Sequence, residues 1–252
     1  MRRPHPGPVV LILAKAPEPG RVKTRLCPPL APDQAAELAA AALLDSMAAA
    51  AAVPGGHAAV VLTGDLRFAA RGVELQALLH DMTVLPQRGD GLGARIVAAH
   101  LDVAALLPGH RTLQIGMDTP QVGPLLAEAD ATLCTGRVGR RAVDAVLGLA
   151  ADGGWWALGL RDPTVVTLIA DVPTSVADTG ERTLAALRDG GLRVALLPEL
   201  SDVDTAADAV AVAAEAPHTR FAAAVRALPA DTLPPPVPQP APAPARRLEW
   251  AG

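Results

Sequence analysis

Short, continuous apolar runs alternate with longer Ala- and Leu-rich segments along most of this chain, and that alternation limits the folds open to it. Apolar runs without polar interruption belong to strands buried on both faces. Such strands occur in parallel sheets covered by helices on each side. Strands are predicted at Val9–Ala14, Ala58–Thr63, Met82–Pro86, Thr112–Gly116, Ala142–Gly148, Trp155–Gly159 and Arg193–Leu197. Helices are predicted at Pro32–Ala52, Leu66–Leu79, Leu92–Leu107, Val122–Leu133, Pro163–Ile169, Gly180–Asp189, Ala206–Ala214 and Arg220–Ala227. The expected fold is α/β and Rossmann-like, with a mainly parallel sheet and helices on both faces. Sheets of this kind place ligands outside the carboxyl ends of their strands. The loops that follow the strands are therefore where chemistry is expected.

Composition supports one sizeable core. Of 252 residues, 50% are hydrophobic and 19% charged, which excludes a globally disordered chain and a coiled coil. The formal net charge of −4 argues against a dedicated nucleic-acid partner, which would reward a basic face. Cys27 and Cys134 form no C-x-x-C pair, so neither a disulfide scaffold nor a cysteine zinc site is expected. The apolar run Val9–Ala14 is too short for a signal peptide and Lys15 interrupts it. No uncharged apolar stretch of about 18 residues exists, so no membrane span is expected. With no targeting signal, the cytoplasm is the expected location. From Pro229 the text becomes PADTLPPPVPQPAPAPARRLEWAG, whose proline density favours an extended linker or disordered tail. The expected organisation is a globular domain at 8–228 and a Pro/Ala-rich tail at 229–252.

The loop after the first strand is cationic. Lys15, Arg21, Lys23 and Arg25 fall within thirteen residues, and Lys15 and Lys23 are the two lysines of the whole chain. A compact ammonium at these positions, in a chain that otherwise uses Arg, suggests a local need. Lys23, Thr24 and Arg25 offer charge and hydroxyl donors to a phosphate, and Gly20 permits close backbone approach. A solvated basic loop with Pro-Gly turns is the plainer alternative. The G-x-x-x-x-G-K-[ST] pattern of a P-loop does not occur, and G-x-G-x-x-G fails in this loop. Farther along, Gln87 to Arg95 is a Gly-rich turn before a helix. There Gln87 could hydrogen-bond a base edge, while Gly91 and Gly93 allow close approach.

Three acidic loops follow. Asp118 ends a predicted strand and precedes Thr119-Pro120; it suits either a hard cation or the cap of the next helix. Asp202 and Asp204 alternate around Val203, so in extended backbone they project to one side. Either could supply a second carboxylate, or Asp204 or Thr205 could cap a helix. Asp152-Gly153-Gly154 reads as a tight turn. Trp155 and Trp156 follow it, either as core packing or as a platform beside a ring-shaped acceptor.

Taken together, LAKAPEPGRVKTRL, QRGDGLGAR, IGMDTPQ, DAVLGLAADGGWWALGL and SDVDTAAD resemble the rSAM/selenodomain-associated transferase-1 family. That family lies within the GT-A, or nucleotide-diphospho-sugar transferase, superfamily. The resemblance implies a transferase with a nucleotide-linked donor and a divalent metal, Mg²⁺ or Mn²⁺. It places donor phosphates on Lys15, Gly20, Lys23, Thr24 and Arg25, and base and ribose on Gln87, Gly91 and Gly93. It makes Asp118 and Asp204 the metal residues and puts Asp152, Gly153, Gly154 and Trp156 on the acceptor side. The chain departs from the family pattern at Met117, Leu149, Ala151 and Trp155, where Ser, Pro, Glu and Tyr are usual.

The leading expectation is a metal-dependent GT-A-type glycosyltransferase acting between a nucleotide-sugar donor and a small-molecule acceptor. Asp118, Lys23 and Asp152 would be its catalytic residues, with Asp152 as base toward the acceptor hydroxyl. The Lys-Thr-Arg-Leu element also resembles phospholactate guanylyltransferases. A nucleotidyltransferase that joins an NTP to a phosphorylated acceptor and releases pyrophosphate is therefore the alternative. A non-catalytic nucleotide-binding protein is the third.

Overall fold

The structure is a computed structural model that describes residues 6–138, 141–229 and 232–234. The tail expected from residue 229 onward lies almost wholly outside the described residues. In chain order the elements are β1 (Val9–Lys15), α1 (Pro32–Ala51), β2 (His57–Thr63), α2 (Gly72–Leu79), β3 (Thr83–Pro86), α3 (Gly91–Leu106), β4 (Thr112–Ile115) and α4 (Gly123–Thr135). Then come β5 (Arg137–Val138), β6 (Arg141–Ala142), β7 (Ala145–Ala150), β8 (Trp155–Leu160), α5 (Thr179–Asp189), β9 (Val194–Leu200), α6 (Ala206–Glu215) and α7 (Arg220–Arg226).

Among the described residues, seven strands form one sheet in the order β3-β2-β1-β4-β8-β7-β9. The β1–β2, β2–β3, β1–β4 and β7–β9 pairs are parallel, whereas β8 is antiparallel to both β4 and β7. Six strands thus share one direction and β8 runs against them. Alternation along β1 explains the two-sided cover. Val10, Ile12 and Ala14 pack against α1 and α4, while Val9 and Leu11 pack against α3. On the α3 side, Ala145 and Leu147 of β7 and Leu158 and Leu160 of β8 meet Leu187 of α5 and the 3-10 segment Pro163–Ile169.

Helix α1 has a second cover. Ala36, Ala39, Leu43 and Met47 face the sheet, while Ala35, Leu38, Ala41 and Ala42 face Val212 of α6 and Phe221 of α7. A helix that is apolar around its circumference needs partners on both sides, which accounts for its Ala-rich sequence. Burying a side chain such as Leu38 or Leu43 contributes about 1.5–3 kcal/mol. The acid inside this helix, Asp45, is used as a cap. Its carboxylate accepts from Arg220 N at 3.0 Å and Phe221 N at 2.8 Å, at the first turn of α7.

Three expectations differ from the fold. The helix predicted over 66–79 is divided into a 3-10 turn at Leu66–Phe68 and α2, because Arg71 takes a left-handed conformation between them. The strand predicted from Ala142 is also divided, Ala142 pairing in the β5–β6 ribbon and β7 beginning at Ala145. The segment 163–169 is 3-10, not α. In the 150–155 turn Gly153 is required. Gly153 has φ +88°, and a Cβ there would lie 1.7 Å from the Ala177 carbonyl oxygen.

Candidate active site

Four loops meet at the carboxyl edge of the six like-directed strands: after β1, after β4, between β7 and β8, and after β9. The β1 loop is fastened at several points. Lys15 Nζ donates to the Arg21 carbonyl at 2.6 Å, and Glu18 accepts from Asp65 N at 3.0 Å and from Arg21 at 2.9 Å. Val22 and Leu26 are buried on either side of Lys23, so the backbone between them is held and the Lys23 side chain turns inward. Lys23 itself adopts φ 47° and ψ 40°, in front of a 3-10 turn at Thr24–Leu26.

The Lys23 ammonium lies 2.6 Å from Asp118 Oδ2 and 2.8 Å from Asp204 Oδ1, with its side chain 11% exposed. Arg25, 78% exposed, reaches the other Asp204 oxygen at 3.0 Å. The β9 loop is brought up by Val203, which is buried between Asp202 and Asp204 and donates its N–H to the Asp118 carbonyl at 3.2 Å. Gln121 Nε2 adds a 2.6 Å bond to the Ser201 carbonyl. Asp118, Asp202 and Asp204 thereby each present an oxygen within 4.8 Å of the others. Capping of α6 falls to Thr205, whose hydroxyl accepts from Asp208 N, which leaves the Asp204 carboxylate on the rim.

The three acids are held differently. Burial disfavours the Asp204 charge, but the bonds from Lys23 and Arg25 outweigh it and keep that carboxyl below its ordinary value. Burial also opposes the Lys23 charge, and Asp118 and Asp204 overcome it, so the ammonium sits above its ordinary value. Asp202 is pushed up to about 6, by burial first and then by repulsion from Asp118, Asp204 and Asp152. Among the described residues Asp202 has no salt bridge. It was one of two interchangeable candidates in the sequence, and the structure brings both to the cluster. The Thr119 hydroxyl beside Asp118 is buried with no hydrogen-bond partner among the described residues.

The remaining sequence candidates divide. Gly20 (φ 73°) and Thr24 lie in the same β1 loop. Asp152 is exposed, and its Oδ1 accepts from Gly154 N at 2.8 Å, which shapes the turn with Gly153. Gly91 (φ 83°) and Gly93 open α3 at the end of β3, two strands beyond β1 on the same edge. Two further candidates have partners within the fold. Gln87 Nε2 donates to the Ala14 and Val61 carbonyls at 2.7 and 3.1 Å, and its Oε1 accepts from Arg95, so its amide bridges β1 and β2. Trp156 is 3% exposed, its indole N–H bonded to the Pro198 carbonyl at 2.9 Å, and its ring fills the space over Gly148. It is core under the Asp152–Gly154 turn.

Topology and rim together define a GT-A-type α/β fold of the nucleotide-diphospho-sugar transferase class. The chain belongs to the DUF2064 family, described as an uncharacterized protein conserved in bacteria, which it matches over residues 44–176. It is similar to the crystal structure of a "putative nucleotide-diphospho-sugar transferase" from Desulfovibrio desulfuricans G20. The two share 27% identity over 86% of this chain and 93% of that one, with a TM-score of 0.73. A "putative glucose-1-phosphate thymidylyltransferase" from Bacillus anthracis shares the fold at 12% identity, covering 85% of this chain and 98% of its own, with a TM-score of 0.51. These structural neighbours are described as transferases. No curated protein matches the chain. No helix among the described residues is long and apolar enough to cross a membrane.

Proposed function

We propose that this protein is a metal-dependent GT-A-type glycosyltransferase that uses a nucleotide-sugar donor and resembles the rSAM/selenodomain-associated transferase-1 family. The observation that carries the reading is the meeting of a cationic loop and three carboxylates at one point: Lys23 on Asp118 and Asp204, with Asp202 beside them. The donor set is all oxygen, which suits Mg²⁺ or Mn²⁺, and the Lys23 ammonium is a stand-in cation on two of the three ligands. Asp118 and Asp204, with Asp202, would hold the ion. When bound, the ion supplies charge neutralisation on the donor diphosphate.

The chain's own residues do the rest. Lys15, Lys23, Thr24 and Arg25, with the Gly20 turn, bind the diphosphate and stabilise the charge that builds on it as it leaves. Gly91 and Gly93 let the nucleoside approach the backbone on either side of Leu92. The turn Gly153-Gly154 seats the acceptor, with the Trp156 ring supporting it from below. Asp152 takes the proton of the acceptor hydroxyl; the acceptor oxygen bonds to the anomeric carbon, the bond to the diphosphate breaks, and nucleoside diphosphate departs. We assign this unit to residues 8–228, with 229–252 as a separate tail.

Incubation with panels of nucleotide-sugars and of NTPs tests the reading. Metal-dependent release of free nucleoside diphosphate from a sugar donor is the expected result. Pyrophosphate release from an NTP would replace it with nucleotidyl transfer to a phosphorylated acceptor. Tight nucleotide binding without turnover on any donor–acceptor pair would replace it with a non-catalytic role.

A further inference from the structure

We infer that the rim admits a divalent ion only together with a nucleoside diphosphate, because the Lys23 ammonium already occupies the place between the carboxylates that would hold the ion. The inference rests on the transferase reading above and adds a coupling to it. Lys23 Nζ is 2.6 Å from Asp118 and 2.8 Å from Asp204, in a nearly closed setting. A divalent ion set on these same two oxygens would be in contact with the ammonium, and the two positive charges would repel at that distance. Entry of the ion therefore requires the ammonium to leave.

The backbone under Lys23 has little room to move. Val22 and Leu26 are buried on both sides, and Lys15 and Glu18 tie the loop to itself and to the end of β2. The departure is thus a rotation of the four-carbon side chain, which needs a new anion within its reach. A diphosphate on the rim is such an anion: it draws Lys23 off Asp118 and Asp204 and leaves both to the ion. Asp202, which among the described residues has no salt bridge, is ready as a third oxygen donor. Arg25 keeps its bond to Asp204 from the solvent side and does not fill the centre. Ion and diphosphate then favour each other's binding by the same factor, as linkage demands.

The test is a Mn²⁺ titration followed by the electron paramagnetic resonance signal of the free ion. It is run with and without UDP or GDP and corrected for Mn²⁺ held by nucleotide in buffer. The native protein should bind Mn²⁺ alone weakly, and the diphosphate should tighten it about tenfold or more. Lys23→Met should bind Mn²⁺ alone about tenfold more tightly than the native protein and gain less from the diphosphate than the native protein does. Calorimetry of UDP or GDP on the native protein, with and without Mn²⁺, should return the same coupling factor and needs no variant. The inference is overturned if the native protein binds Mn²⁺ alone as tightly as Lys23→Met, or if the diphosphate tightens both equally. If neither protein holds Mn²⁺ even with a diphosphate, the metal site of the transferase reading falls as well.

Discussion

Strand β4 takes part in two polar clusters that behave in opposite ways. On its α3 face, Thr112 and Gln114 hold the His100 ring, all three buried. The neutral ring with its proton on Nε2 suits both neighbours: Nε2–H donates to Gln114 Oε1 at 2.9 Å, and Nδ1 accepts from the Thr112 hydroxyl at 2.8 Å. Beyond its carboxyl end, Asp118 joins Lys23, Asp202 and Asp204, where three carboxylates face one ammonium and the outer guanidinium of Arg25. The first cluster is closed and matched, and burial keeps it that way. The second carries an excess of negative charge at an open edge, where water reaches the carboxylates and, under the proposed function, an ion would complete them. A matched polar cluster holds structure together, whereas a mismatched one at a strand edge is where the proposed function puts its ligand.

The contrast fails most visibly if the rim is structural. Asp118→Ala should reduce metal-dependent nucleotide binding by about 100-fold or more, since even partners outside the first ligand shell contribute about 10–100-fold. The melting transition should stay close to the native one. Unchanged nucleotide affinity and unchanged metal dependence would remove the site.

The His100 cluster should show itself in acid. Burial pulls the His100 pKa down to about 4, against 6.5 unperturbed. Between these values the unfolded chain takes up the proton before the folded one does. This contribution is whole above pH 6.5 and is lost as pH falls toward 4, by about 3 kcal/mol at 1.36 kcal/mol per pKa unit. Urea midpoints across that range should fall in the native protein, and His100→Gln should flatten the trend. An unchanged slope in the variant would assign the acid sensitivity elsewhere.

Thr112→Val sharpens the comparison with a smaller change. It leaves His100 Nδ1 buried without its donor and should destabilise by about 1–3 kcal/mol in chemical unfolding. A neutral outcome would mean that the ring finds another partner. The smallest effect should carry the opposite sign. Asp202 sits near 6 when folded, against 3.8 unperturbed, so its contribution is whole below pH 3.8 and is lost as pH rises through 6. Discounted for screening by solvent, Asp202→Asn should stabilise the metal-free protein at neutral pH by about 1 kcal/mol while weakening Mn²⁺ uptake. Destabilisation by this variant would place Asp202 among structural groups.

Much of this was legible because of where the residues fall, and some was not. Lys23, Asp118 and Asp204 are far apart in the chain, yet each follows a predicted strand, and parallel strands deliver their ends to one edge. Asp202 was legible only as an alternative to Asp204, since D-V-D spacing places two acids on one side without saying what faces them. The surroundings of Gln87 and Trp156 were not legible, for a common reason. A side chain's direction is settled by its neighbours: the Ala14 and Val61 carbonyls of β1 and β2 take the Gln87 amide, and Gly148 makes room for the Trp156 ring. The double cover on α1 was likewise hidden, since the sequence shows a helix without a polar face but not which elements close over it.

The amino-acid order alone determined the alternation of strands and helices, the edge on which the loops gather and the residue types found there, because periodicity and backbone preference are local properties. Only the tertiary structure decided that β8 runs against its neighbours, that Asp202 joins Asp204, and that Lys23 lies between carboxylates 95 and 181 residues away. Those outcomes depend on distances across the sheet and on the burial of each charge, and both arise from packing.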